Sequence, residues 1–255
     1  MDVPSLGASL ALPSAELLAL IAVAAFAAST VAAIAGFGGS AILLPLLVPA
    51  FGARDAVLIM TIVQLVGNAS RVVVNRHELV LPVVAWFSIG AVPFAILGGL
   101  AFAAAPMSVL TRLLGVLLIG MVVWRQLPIS VLGGRQLPLR SFAIVGAASS
   151  FISALVGTIG PLMVPFFLAY GLTRGAYIGT EAASTVVIQV VKAATYTGAA
   201  AMTVTALVTG IVLSPLMILG SVVGKRVLHG VSDRAFVLII EGAMLVSGIF
   251  FVVQP

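Results

Sequence analysis

Apolar segments about as long as a bilayer is thick, interrupted twice by glycine, constrain this chain more than any other feature. They lie near 15–35, 41–51, 55–74, 79–103, 107–126, 141–156, 161–171, 175–198, 203–228 and 233–253. A stretch of about 20 such residues crosses the hydrocarbon core as a helix. Lipid offers the backbone no hydrogen-bond partner, so only helices and closed barrels span it. The runs are continuous rather than alternating, which excludes a barrel. With 62% hydrophobic and 7% charged residues, against roughly 25% charged in a soluble domain, the chain has too little polar surface to face water. The expected fold is an all-α integral membrane protein of about eight transmembrane helices plus two half-helix hairpins. That plan leaves no room for a soluble catalytic domain. The N-terminus has Asp2 and Glu16 as its only charges and lacks the positive region of a signal peptide. Ala15 onward reads as a retained first helix.

Two segments, 41–51 and 161–171, are half the length a span needs, and each follows a glycine break: "GFGGS" at Gly36–Ser40 and "GTIGP" at Gly157–Pro161. The order of parts occurs twice: helix, break, half-helix, three spans. Pro45 matches Pro165, "GARDA" at 52–56 resembles "LTRGA" at 172–176, and "PFAILGGLAF" from Pro93 parallels "PLMILGSVVG" from Pro215. The sequence therefore divides into a first repeat at 15–126, a connecting loop at 127–140 and a second repeat at 141–253. Basic residues orient it. Arg76, Arg125, Arg135, Arg140, Arg174, Lys225, Arg226 and Arg234 fall at loops that share one side if each break folds the chain back. The uncharged loops near 104–106 and 199–202 fall on the other, with both chain ends; Arg54 and Arg112 are the exceptions. The connecting loop is then cytoplasmic, and the repeats have opposite orientation, a plan of secondary transporters with the substrate at midplane.

Non-helical backbone survives at membrane depth only inside protein or around a wet cavity. The candidate site residues Gly36, Phe37, Gly38, Gly39 and Ser40, and Gly157, Thr158, Ile159, Gly160 and Pro161, should thus face each other in the interior. Each half-helix starts there with free N–H groups and the positive end of its dipole, which suits an anion. The bland alternative is close helix packing on small residues.

The spans also carry polar residues at helical spacing. Gln64, Asn68 and Arg71 lie on 55–74, and Ser184, Thr185, Gln189 and Lys192 on 175–198. An arginine fork holds an oxyanion by paired hydrogen bonds and a lysine by point charge; the neutral side chains supply further donors. Arg71 has snorkelling to the interface as its alternative. Glu181 and Glu241, two carboxylates inside spans, are the candidates for carrying a coupled proton. Glu181 and Lys192 are three turns apart, too far for a direct pair.

Without cysteine the chain has no disulfide or thiolate site, and His77 and His229 lie beside charges in loops. No metal or other cofactor is expected. The scattered basic residues argue against nucleic acid. Neither an HExxH pair nor a nucleophile–histidine arrangement occurs in the spans, so an enzyme is not expected. The partners are the lipid bilayer and a small anion. Small-residue faces such as "ILGGLAFAAA" leave a homodimer open. A passive anion channel is the alternative to a transporter.

The motifs "GFGGSAILLPLLVPAFGARDAV" and "GTIGPLMVPFFLAYGLTRGAYIGTEAAS", with "PFAILGG" and "PLMILGSVVG", resemble the TauE/SafE family of sulfite exporters from about Ile21 to Val253. Ser40 and Ile159 stand where the family's pattern has glycine, and its Thr-Ser pair reads Thr180-Glu181 here. The resemblance implies a multi-pass transporter of the bacterial inner membrane; with the basic loops cytoplasmic, both termini are expected to be periplasmic. It further implies export of sulfite, sulfoacetate or other sulfonates.

Overall fold

The computed structural model describes residues 14–35, 39–126, 137–172 and 174–227. Gly36, Phe37, Gly38, Glu241, the span expected at 233–253 and most of the connecting loop lie outside the described residues. Eight helices are described: α1 (Ala15–Ala35), α2 (Gly39–Val74), α3 (Leu81–Ala104), α4 (Met107–Gln126), α5 (Ser141–Val156), α6 (Gly160–Ala169), α7 (Arg174–Gly198) and α8 (Val204–Val227). The expected half-helix and span at 41–74 form one element, α2, broken at Gly52 by a φ of 80° and ψ of 162°. Among the described residues, four helices qualify on length and apolarity to cross a membrane: α1, α2, α3 and α8. At 25 residues α7 is also long enough, but it carries Glu181 and Lys192, both buried. Its polarity is turned inward, so composition alone understates it as a span.

The break between α5 and α6 has a local cause. Gly157 takes φ 85°, closing α5 with its N–H on Ser153 O, and a left-handed residue at this position ends helices. Proline in the first turn of α6 then restarts the helix at no cost in hydrogen bonds. The chain folds back, and Leu137 N bonds to Ala169 O across the hairpin mouth.

Contacts sort the connections into two ends. At the first end, Arg54 donates to Ala103 O and Ala105 O, and Thr203 Oγ1 donates to Asp55. The two carbonyls at the end of α3 account for the otherwise anomalous Arg54. At the second end, Lys225 Nζ donates to Val74 O, Val80 N to Thr180 Oγ1, and Glu78 rests against Gly175. Helix α1 runs toward the second end and α5 away from it, so the two hairpins enter from opposite sides.

Small residues bring the helices together. Gly90 and Gly146 let the backbones of α3 and α5 touch, and Gly220 and Gly224 do the same between α8 and α1; a Cβ at any of the four has no room. Lipid is as apolar as leucine, so such contact and interhelical hydrogen bonds hold membrane helices together. Ser29 supplies one bond to Ser221 and one to Met217 O. Ile89, Leu97, Val212 and Leu219 point outward from α3 and α8, each more than half exposed, as a lipid-facing surface requires.

Candidate functional site

The two breaks meet inside the protein. Thr158 Oγ1, on the second, donates to Ser40 Oγ, on the first, at 2.5 Å. Thr158 and Ser40 are both buried. Because each half-helix begins beside its break, two helix N-termini point at this contact, and α6 has no side-chain cap of its own. The carbonyls at the ends of the incoming helices are occupied instead. Gln64 Nε2 donates to Gly157 O at 2.9 Å, and Arg71 Nη1 donates to Ala32 O at 3.2 Å. One carbonyl at the end of each of α1 and α5 is thereby satisfied, while the half-helices begin here with the positive ends of their dipoles.

A cavity of about 40 Å³ lies at the contact, bordered by Ser40, Gln64, Asn68, Arg71, Thr158, Glu181 and Thr185, with Gly39, Ile159, Gly160 and Ser153 also on its wall. That is room for water but not for an organic sulfonate. A polar network continues from the wall. Gln189 Nε2 donates to Gln64 Oε1, Asn68 Nδ2 to Gln64 O, and Arg71 to Asn68 Oδ1. Arg71 Nη1 lies 3.5 Å from Glu181 Oε2, and Thr185 Oγ1 donates to Glu181 Oε1 at 3.0 Å. Arg71 is 8% exposed and Glu181 2%. Arg71 thus faces the interior rather than snorkelling to the interface.

The structure separates the sequence candidates by distance from the cavity. Ser40, Gln64, Asn68, Arg71, Thr158, Glu181 and Thr185 form its polar wall. Gln189 stands behind Gln64. Lys192, fully buried, reaches the cavity only through Ser153, to whose Oγ its Nζ donates at 3.3 Å. Ser184 Oγ turns back to Thr180 O on its own helix. Pro161 begins α6 beside Gly160. The sequence reading did not single out Ser153; its signal was "SSFIS" on α5, serines at helical spacing in an otherwise apolar helix. Among the described residues no group of acidic or histidine side chains is placed to hold a metal ion.

The family model described as Sulfite exporter TauE/SafE matches residues 21–251. The chain belongs to the TauE/SafE family. No curated protein and no solved structure matches it. Membership makes it a multi-pass membrane protein of a transporter family associated with export of sulfite and related sulfur anions. The TauE/SafE match covers both hairpins, including the glycine breaks whose contact borders the cavity.

Proposed function

We propose that the protein is a secondary transporter of small sulfur oxyanions, such as sulfite or sulfoacetate and other sulfonates, with the anion held where the hairpins meet. The observation that carries this reading is the Thr158–Ser40 contact beside Arg71. It joins two helix N-termini, several neutral donors and a guanidinium in one enclosed space. A planar fork with several N–H groups suits the oxygens of a sulfite or sulfonate. Residues 15–126 and 141–253 act as two inverted repeats that rock against each other, exposing the site to either side in turn. The small cavity fits an occluded stage of that cycle. In the bacterial inner membrane, with the second end cytoplasmic and both termini periplasmic, net movement is export.

Uptake of labelled sulfite, sulfoacetate and sulfate into proteoliposomes tests the reading. Saturable uptake of at least one sulfur anion, lowered about tenfold or more by Arg71→Ala through loss of a charged hydrogen-bond set worth about 1.5–3 kcal/mol, is expected. Non-saturating flux that follows membrane potential would replace the transporter by a channel.

A further inference from the structure

Arg71 borders two spaces at once. One is the central cavity; the other is a vestibule of about 230 Å³ at the second end, whose wall includes Asn75, Glu78, Ser221 and Lys225. Glu181 borders the central cavity and is not on the vestibule wall. An anion coming from the vestibule therefore meets the guanidinium before it meets the hairpin contact. The carboxylate is held loosely for such a depth: Thr185 satisfies Oε1, while among the described residues Oε2 has no hydrogen-bond donor and lies 3.5 Å from the guanidinium.

We propose that the Arg71–Glu181 pair couples anion movement to proton movement: an entering anion takes the guanidinium from Glu181, and Glu181 takes a proton. This rests on the anion reading of the cavity given above. Charge dictates the exchange. An unpaired ion in a buried site costs several kcal/mol. The resting pair sums to zero, and a monoanion added to it would leave one buried negative charge uncompensated. With a proton on Glu181 Oε2 the three groups again sum to zero: guanidinium positive, anion negative, carboxyl neutral. No bond other than O–H forms, nothing is oxidised, and the proton comes from the water that the open cavity faces. Anion and proton then cross together, electroneutrally, toward the side where the product of their concentrations is lower, which is outward when the anion's own gradient exceeds the opposing pH gradient.

The groups around Glu181 leave this role to Arg71. From α2 come Arg71 and the neutral Asn68, and on α7 itself stand Thr185 and Tyr177, whose buried hydroxyl has no hydrogen-bond partner among the described residues. Helices α3, α5 and α6 bring no ionisable side chain within their bounds, and from α1 Arg71 meets the Ala32 carbonyl. Glu78 and Lys225 stand in the vestibule, and Lys192 is three turns along α7 against Ser153.

Proteoliposomes with the membrane potential clamped separate the two claims. Sulfite and methanesulfonate serve as probes; the second, the anion of a strong acid, carries no proton of its own. Counterflow at equal pH reads transport alone, and accumulation under a pH gradient of about one unit reads coupling, with about tenfold accumulation the limit for one proton per anion. Wild type and Glu181→Asp are expected to do both. Glu181→Gln should lose accumulation in far greater proportion than it loses counterflow. A trapped pH dye in wild type alone should report one proton per methanesulfonate, which keeps the test sound if Glu181→Gln does not fold. Accumulation by Glu181→Gln equal to wild type, or no proton per methanesulfonate, overturns the coupling proposal while leaving transport intact. Absence of wild-type counterflow for both probes overturns the transport reading beneath it.

Discussion

At the scale of single residues, Gln64 links the second break to α2 and α7 at once, donating to Gly157 O and accepting from Gln189. Gln64→Leu leaves that carbonyl and the Gln189 amide without this partner, at a cost of about 1–3 kcal/mol for each group left unsatisfied. A fall in the melting temperature of the purified protein, accompanied by weaker anion binding, is the expected result. An unchanged melting temperature would mean that water replaces the side chain at no cost. The amide ladder of Gln64, Asn68 and Gln189 was legible in the sequence, because an apolar span has no other reason to carry such residues at helical spacing. The partner of Arg71 was not legible. Its proximity to the loop at 75–78 suggested the interface, and only the packing of α7 on α2 puts Glu181 within its reach. Spacing along one helix reports a shared face; it does not report what another helix brings to the same depth.

At the scale of elements, the hairpins depend on backbone that helices do not tolerate. Gly157 has φ 85°, and an L-residue in that conformation costs roughly 1–2 kcal/mol. Gly157→Ala should therefore lower the melting temperature and also disturb transport, since the same residue carries the carbonyl that Gln64 holds. Gly146→Leu, which forces a side chain between α3 and α5 where the backbones touch, should reduce folded yield while leaving the site chemistry unchanged in whatever protein folds. Fluorescence-detected size exclusion reads both. The second break was visible in the sequence because glycine and proline have fixed backbone consequences. The break at Gly52, with its φ of 80°, falls where the sequence divides the half-helix at 41–51 from the span at 55–74.

At the scale of the whole molecule, the proposed rocking of two inverted repeats closes one end as the other opens. The chain has no cysteine, so introduced pairs cross-link without background. A Cβ at Gly179 would stand 3.0 Å from Asn75 Cβ, within reach of disulfide geometry after a small adjustment. Oxidised Asn75→Cys with Gly179→Cys should hold the second end shut and stop transport, and reduction should restore it; full transport while cross-linked would show that this end does not move. The apolar segments and glycine breaks announced the multi-pass membrane class, since a chain with so few charges has no alternative. Lys192 illustrates what stayed hidden. Its depth in α7 was readable, but its seat behind Ser153, outside the cavity wall, depends on how α5 packs.

The central claim, an anion held where the hairpins meet and gripped by Arg71, is tested most directly by equilibrium binding. Sulfite should be titrated calorimetrically into the purified protein and its Arg71→Ala and Ser40→Ala variants at one fixed pH. The account predicts saturable binding with one site per chain, weakened about tenfold or more by Arg71→Ala and less by Ser40→Ala, with the folded state of each variant verified by its melting transition. Wild-type affinity in a folded Arg71→Ala protein would contradict it.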